Sequence, residues 1–155
     1  MDAALQPDPT LEGFLGGHVP VLEDVHAETL YAAGYAYFEQ GEHARAADVF
    51  RLLALARPHA PRSWIALAAT HEAVGDLERA LSLYGIATQA REATRCDLAT
   101  AFLHIARTEH LLGEDDEARD DLERHVQFAQ DVELDEATLE GARVLGLVLS
   151  RGARR

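Results

Sequence analysis

The sequence repeats one pattern at a period of 34 residues. In this pattern a glycine is followed five positions later by an alanine. The pattern occurs at Gly41 with Ala46, at Gly75 with Ala80 and at Gly113 with Ala118. The third copy begins 38 residues after the second, which indicates a short insertion near residues 91–95. A period of this length holds one pair of helices, and such pairs bury their apolar faces by stacking on one another.

The recurring positions each have a predicted structural role. The three glycines are expected to end a helix in the left-handed conformation, which is costly for residues that carry a Cβ atom. Small residues let the two helices of a pair approach closely, and they recur at the three alanines and at Gly34, Ala68 and Ala106. Larger side chains are expected to pack between the helices, namely Leu30, Trp64 and Phe102 from the first helix and Phe50, Tyr84 and Leu122 from the second.

This helix-turn-helix period resembles the tetratricopeptide repeat. The resemblance implies an all-α solenoid of three repeats within one domain, residues 1–155. We expect an N-terminal arm at residues 1–25, repeats at 27–58, 61–92 and 97–130, and a capping helix at 135–150. A solenoid ends in a cap with a polar outer face, so we expect such a face on the capping helix.

The net charge of the chain limits the kinds of partner that it can bind. Asp and Glu number 27 against 14 Lys and Arg, which gives a net charge of -13. This charge repels nucleic acid and anionic lipid, so apolar or basic partners are expected. The single cysteine, Cys96, has no intrachain disulfide partner, and residues 1–10 lack the pattern of a secretion signal. No run of about 18 apolar residues is present, so we expect a cytoplasmic protein without stable membrane association.

Aromatic residues cluster in the first predicted helix. On a helical projection, Tyr31, Tyr35 and Phe38 form one stripe, while Leu30, Ala33, Gly34 and Tyr37 form the face that packs on the second helix. The tetratricopeptide resemblance places the Tyr31 stripe on a concave groove. The equivalent positions are Ile65, Ala69 and Glu72 in the second repeat and Leu103, Arg107 and His110 in the third. We expect this groove to bind an extended peptide through apolar side chains.

A second interpretation of the stripe stays open. Apolar residues precede the first repeat at Phe14, Leu15, Val19, Val21 and Leu22. If this segment folds back over Tyr31, Tyr35 and Phe38, these rings belong to the hydrophobic core and not to a binding groove. The same segment is also a candidate surface for contact with a second copy of the chain.

A narrower resemblance rests on several quoted stretches. These are GFLGG at 13–17, VL at 21–22, TLY at 29–31, AGYAYFEQG at 33–41, AADVF at 46–50, WIALAATHEAVG at 64–75 and ALSLYGIA at 80–87. Together they resemble the class II chaperones of bacterial type III secretion. The resemblance implies a protein that holds hydrophobic translocator proteins before export, dimerises through its N-terminal region and binds a short cargo segment at Tyr31, Tyr35 and Phe38.

The sequence departs from that family in places, and other functions stay open. His43 replaces an aromatic residue, and Glu109 and His125 occupy positions that are usually apolar in the third repeat. A general tetratricopeptide scaffold for another peptide is one alternative, and an added role in activating a transcription factor is another. A carboxylate clamp is disfavoured, because it needs Lys, Asn and Arg where Tyr35, Ala69 and Glu72 stand.

The sequence offers no catalytic constellation. The GFLGG stretch lacks the lysine of a phosphate-binding loop, and the eight histidines do not follow metal-binding spacings. Cys96 has no neighbouring base in the sequence. We therefore expect neither an enzyme nor a bound metal or cofactor.

Overall fold

The computed structural model describes residues 22–152 of the chain. Phe14, Leu15, Val19 and Val21 lie outside the described residues, so the two interpretations of that segment remain predictions. All regular structure between residues 22 and 152 is helical. The helices are α1 (Asp24–Glu39), α2 (His43–Ala56), α3 (Pro61–Ala73), α4 (Leu77–Thr88), α5 (Arg95–Leu112), α6 (Asp115–Ala129) and α7 (Glu136–Gly152). The all-α fold of three helix pairs followed by a closing helix is confirmed.

The turns within the helix pairs confirm the predicted role of the three glycines. Gly41, Gly75 and Gly113 have φ angles of 75°, 82° and 85°. Each lies in the left-handed region, which an L-residue adopts at a steric cost. In the turn between the first two pairs, Pro61 begins α3 and the indole Nε1 of Trp64 donates to the carbonyl of Pro58 at 3.0 Å.

Small residues bring the helices of each pair into close contact. Ala46, Ala80 and Ala118 are fully buried. Gly34 lies against Phe50, where a Cβ atom would come within 2.7 Å of the ring. In the first pair, a glycine of α1 therefore packs directly against an aromatic ring of α2. One detail of the predicted packing face is wrong, because Ala33 is exposed.

The core runs along the solenoid as successive clusters. Phe50, Leu53 and Leu67 belong to the cluster of the first pair, which extends into α3. Tyr84 and Ile105 lie in a second cluster between α4 and α5. A third cluster joins α5 and α6 to α7 and contains Leu103, Ala106, Ala118, Leu145 and Leu149. Each helix pair therefore depends on its neighbour for part of its burial, as expected of a repeat protein.

Side-chain caps lie at the starts of α5 and α7. Thr94 and Asp97 form a capping box at the start of α5, with Asp97 Oδ2 accepting from the Thr94 backbone N–H at 2.9 Å. Asp135 accepts from the backbone N–H of Thr138 at 2.9 Å at the start of α7. Such caps satisfy backbone donors that a helix leaves without partners in its first turn.

The expectation of a polar outer face on the closing helix is wrong. Leu145 and Leu149 are buried, but Val144, Leu147 and Val148 expose 47%, 49% and 42% of their surfaces. The apolar run at 144–149 is longer than one helix face can bury against α5 and α6. Part of it therefore faces solvent at the end of the stack.

Within residues 22–152, no helix combines the length and apolarity needed to span a lipid bilayer.

Candidate peptide-binding groove

A cavity of about 580 Å³ runs along the first helices of the three pairs. It is lined by Tyr31, Tyr35 and Phe38 from α1, by Ile65, Ala66, Ala69, Glu72 and Ala73 from α3, by Thr100, His104, Arg107 and Leu111 from α5, and by Asp135 and Thr138 at the start of α7. We call this cavity the groove. Its volume lies within the range of about 300–1,000 Å³ that is usual for ligand sites.

Aromatic rings form the α1 wall of the groove. Tyr35 exposes 49% of its surface, while Tyr31 and Phe38 are half-buried. The Tyr31 ring lies 5.9 Å from the Tyr35 ring and 5.5 Å from Phe50, and Tyr35 lies 6.2 Å from Phe38. Tyr31 and Phe38 therefore contribute to the core with one side and to the groove with the other. Tyr35 contributes mainly to the groove.

Arg62 holds Tyr31 in place. The guanidinium carbon of Arg62 lies 3.6 Å from the centre of the Tyr31 ring, close enough for a cation–π contact. Its Nη1 also donates to both carboxylate oxygens of Glu28, at 2.8 and 2.9 Å. Burial raises the pKa of the Tyr31 hydroxyl. The cation and the carboxylate together limit the rotation of this ring, so it can serve as a fixed wall.

His43 lies beside the aromatic wall, at a position where an aromatic residue was expected from the family. Its ring centre is 5.3 Å from that of Phe38 in an edge-on arrangement. Its Nδ1 is buried and makes no hydrogen bond within the described residues. The imidazole thus packs on Phe38 as a flat ring and supports the wall from behind.

The middle of the groove is apolar and shallow. Ile65 and Ala69 are half-buried and line the cavity one and two turns along α3. The small Ala69 side chain leaves this part of the groove open. An apolar side chain of a bound segment could fill this space against the rings.

The α5 wall of the groove is polar. Glu72 accepts from the Tyr84 hydroxyl at 2.7 Å and from Nε of Arg107 at 2.8 Å. Arg107 also lies 3.0 Å from Nδ1 of His104, and the His104 ring stacks on Tyr84 at 5.0 Å. Burial alone would raise the pKa of Glu72, but the contact with His104, the Tyr84 hydrogen bond and the charge of Arg107 outweigh it, so the pKa lies below its usual value.

This polar wall carries one more carboxylate than it has guanidinium groups. Glu72 is ionised and pairs with Arg107, whose side chain is half exposed toward the groove. The capping carboxylate of Asp135 also lines the groove, and hydrogen bonds from Thr138 lower its pKa. Two carboxylates and one guanidinium leave this wall acidic. It therefore favours a neutral or basic segment over an acidic one.

The structure brings together most, but not all, of the predicted groove residues. Tyr31, Tyr35, Phe38, Ile65, Ala69, Glu72 and Arg107 line the cavity. Leu103 does not, because only 8% of its surface is exposed and it packs on Leu145 beneath α7. Leu103 instead lines a smaller adjoining cavity of about 170 Å³. His110 is also outside the groove, with its Nδ1 2.7 Å from Asp115.

Sequence reasoning missed several residues that shape the groove. His104, Leu111, Asp135 and Thr138 line it, and Arg62 acts from behind Tyr31. The repeat contained a usable signal for one of the two ion pairs. Arg62 follows Glu28 by 34 residues, which is one period, so this pair joins equivalent positions of neighbouring repeats. Arg107 follows Glu72 by 35 residues and lies one helical turn before the equivalent position, His110.

Within the described part of the chain, no group of three or more His, Cys, Asp or Glu side chains is placed to hold a metal ion.

Comparison with protein families and with curated proteins gives one match. A family model of the tetratricopeptide repeat matches residues 28–59, which cover the first helix pair. A search of curated proteins by sequence finds no match.

Solved structures match nearly the whole chain. PcrH of Pseudomonas aeruginosa, in complex with the chaperone binding region of PopD, is 23% identical with a TM-score of 0.71 over 86% of this chain and 96% of that chain. The Yersinia enterocolitica type III secretion chaperone SycD, in complex with a peptide of the translocator YopD, is 19% identical with a TM-score of 0.67 over 83% and 98%. The first tetratricopeptide-repeat unit of Spaghetti, bound to an HSP90 peptide, is 19% identical with a TM-score of 0.66 over 84% and 98%.

These likenesses establish the tetratricopeptide-repeat fold, and two of the three structures are complexes of secretion chaperones. The resemblance drawn from the sequence thus agrees with the structural neighbours.

Proposed function

We propose that this protein is a cytoplasmic chaperone that binds hydrophobic translocator proteins of a type III secretion system before their export. An extended segment of the translocator lies in the groove and places apolar side chains against Tyr31, Tyr35 and Phe38. The exposed Tyr35 ring, held between two partly buried rings at an open cavity, is the observation that carries this proposal.

Two features of the groove support an apolar segment as the ligand. The α1 wall presents large rings, which have high binding energy per residue and few rotatable bonds. The middle of the groove contains Ile65 and Ala69 and offers no charge. An exposed ring is otherwise unfavourable in water, so a groove of this kind gains free energy when a partner covers it.

The SycD and PcrH complexes support the choice of cargo. Both contain segments of translocator proteins bound to chaperones of this fold. A translocator carries long apolar segments that aggregate or enter the wrong membrane if they are left free. Binding of one such segment lowers the concentration of the free form by mass action and requires no nucleotide.

The Spaghetti complex with an HSP90 peptide defines the alternative, a scaffold that binds some other peptide. The acidic α5 wall disfavours ligands that end in several carboxylates. Arg107 is already neutralised by Glu72, and Asp135 adds a further negative charge. Because the structural neighbours are chaperones and peptide-binding repeat proteins, we also infer that the protein has a binding role and no catalytic one.

A SycD structure with an alternative dimer supports a further part of this proposal. We infer that the free chaperone forms a homodimer through the segment around Phe14, Leu15, Val19, Val21 and Leu22.

Coexpression with a candidate translocator tests the proposal. A suitable candidate is a protein with long apolar helices whose gene lies beside this one and near genes of a secretion apparatus. We expect a soluble complex that copurifies in stoichiometric amounts. Tyr35→Ala or Phe38→Ala should weaken binding by about 1–3 kcal/mol, the scale of an aromatic anchor.

Leu55→Ala is the matched control, because Leu55 is exposed on α2 and lies outside the groove. It should bind cargo as tightly as the wild type. If the two groove variants are folded and bind at wild-type strength, the groove assignment is wrong. If an acidic peptide such as the C-terminus of HSP90 binds more tightly than the translocator, the scaffold alternative is correct.

A further inference from the structure

The outer face of α7 carries a regular stripe of exposed side chains. Glu140, Val144, Leu147 and Arg151 follow one another at spacings of four, three and four residues. At about 100° per residue these positions lie on one face of the helix. That face is opposite Leu145 and Leu149, which are buried against α5 and α6. The stripe therefore points away from the rest of the molecule.

The stripe is acidic at one end, apolar in the middle and basic at the other. Val144 and Leu147 are about half exposed, and Val148 borders them. Glu140 and Arg151 are exposed at the two ends, and Glu140 also accepts hydrogen bonds from Arg143 at 2.6 and 2.7 Å. When two such helices run antiparallel about a twofold axis near residue 145, Val144 of each faces Leu147 of the other. The same arrangement places each Glu140 opposite an Arg151, twice over.

The charge of this region permits two copies to approach. The helix Glu136–Gly152 contains two acidic and two basic residues, whereas the whole chain has 27 acidic and 14 basic residues. By contrast, α6 contains six acidic and two basic residues. The remaining repulsion between two acidic chains is screened beyond about 8 Å at physiological ionic strength. The closing helix is thus a locally neutral, apolar end on an acidic molecule.

We propose that two copies of this chain associate through an antiparallel, twofold contact between their α7 helices. The contact continues the solenoid, because α7 gains on its outer side the helix neighbour that each earlier helix already has. A twofold contact is closed, so it yields a dimer and not a filament. It leaves the groove free, since only the first turn of α7 reaches the groove, at Thr138, and none of the four stripe residues lines it.

The expected affinity is modest. One pair of short helices buries less than the roughly 1,200 Å² typical of stable interfaces, which places it among weak, reversible contacts. We expect self-association in the micromolar range, roughly 1–100 µM. This surface is separate from the N-terminal segment of the proposed function, so the two contacts can be tested apart.

Sedimentation velocity of the full chain between about 1 and 500 µM tests the proposal. The wild type should shift from monomer to dimer, or to higher species if the N-terminal contact also forms. Leu147→Ser should move this transition at least about tenfold higher in concentration, because it removes the apolar centre of the contact twice per dimer. Leu52→Ser is the matched control, since Leu52 is equally exposed on α2 and should leave the transition unchanged.

Charge reversal tests the antiparallel arrangement. Arg151→Glu places two carboxylates opposite each other at both ends and should weaken the dimer about threefold to tenfold. The double variant Glu140→Arg with Arg151→Glu restores opposite charges and should recover most of this loss. A parallel arrangement would not show recovery, because like residues would then face each other.

Three results would overturn the proposal. They are a wild-type chain that stays monomeric at all concentrations, association that Leu147→Ser does not weaken, and a double charge variant no better than Arg151→Glu alone. A fourth result would show that the α7 stripe binds cargo and not a second copy of the chain. If the wild type is monomeric and Leu147→Ser weakens binding of a coexpressed translocator, the α7 stripe belongs to the cargo interface.

Discussion

The first and third helix pairs share one backbone pattern, but their core positions hold residues of different polarity. Three equivalent core positions hold Tyr37, Val49 and Leu53 in the first pair. In the third pair the same positions hold Glu109, Asp121 and His125, all buried. The helices nevertheless pair in the same way in both repeats. The small residues and the turn glycines, which both pairs have, therefore set the geometry, and the larger core side chains adapt to it.

Most polar side chains in the core of the third pair form hydrogen bonds with nearby residues. His125 lies with its Nδ1 2.8 Å from the carbonyl oxygen of Ala99, and Asp121 accepts from Arg124 at 2.7 Å. Oε2 of Glu109 is buried without a hydrogen-bond partner among the described residues. An unpaired buried carboxylate is unfavourable, so Glu109 is the weakest point of this core. The first pair has apolar packing at the same place.

Removal of the largest core side chain should distinguish the two pairs most clearly. Phe50 is fully buried in the first pair, and its counterpart Leu122 is only half-buried in the third. Phe50→Ala should reduce the free energy of unfolding by about 3–5 kcal/mol, and Leu122→Ala by about 1–2 kcal/mol. Urea denaturation followed by circular dichroism measures both. Equal losses would mean that the two cores are equally well packed.

The buried carboxylate predicts a pH effect confined to the third pair. Burial, together with Asp121, Glu114 and Glu117, raises the pKa of Glu109 to about 8. The unfolded chain loses this proton near the ordinary glutamate pKa, so the folded state binds more protons between that pH and about 8. The contribution of Glu109 to stability is therefore present at acidic pH and is lost as the pH rises through this window.

Glu109→Gln should abolish that loss, because the amide stays uncharged. At about pH 8.5 the variant should be more stable than the wild type by about 1–3 kcal/mol, and at about pH 5 the two should be similar. Urea denaturation at both pH values gives this difference. Glu117→Gln, which changes an exposed neighbour, should retain most of the wild-type dependence. A variant whose advantage is the same at both pH values would contradict the assignment.

A smaller effect concerns the contact between Gly34 and Phe50. The equivalent positions in the other pairs hold Ala68 and Ala106, both fully buried. Gly34→Ala should nevertheless destabilise the first pair by about 1–2 kcal/mol, because the new Cβ would overlap the buried ring. Phe50→Leu, which introduces the side-chain type of the third pair, should cost less in the Gly34→Ala background than in the wild type.

Gly85→Ala is the control for intrinsic helix preference. Gly85 lies within α4, and a Cβ atom there would meet no atom within 4 Å. This change should stabilise the protein by up to about 1 kcal/mol. Thermal unfolding of the four variants and the wild type measures the coupling between positions 34 and 50. If the effects of Gly34→Ala and Phe50→Leu on stability simply add, the Phe50 ring moves aside without an energetic cost.

Much of the fold could be predicted from the sequence because its signals are local. A glycine with positive φ, a proline in the first helical turn and a small residue at a close contact each act within one helix or turn. Their repetition at 34 residues gave the number of helix pairs and the place of the closing helix. The aromatic wall was also predictable, since Tyr31, Tyr35 and Phe38 share one face of α1.

The rest of the groove depended on contacts between repeats. Leu103 was predicted to line it, but α7 packs over this residue and buries it. His110 was predicted there as well, but it pairs with Asp115 at the next turn. The periodicity of α5 alone could not indicate which part of its face the closing helix would cover. The insertion before α5 added further uncertainty to the register of the third repeat.

The sequence by itself determined the repeat length, the left-handed turns and the helical faces, because each follows from the conformational limits of a few neighbouring residues. Only the tertiary structure decided which faces became wall, core or exposed stripe, because those outcomes depend on how far each helix is rotated against the next. The ion pairs of Arg62 with Glu28 and of Arg107 with Glu72, and the exposed apolar face of α7, arise at this level.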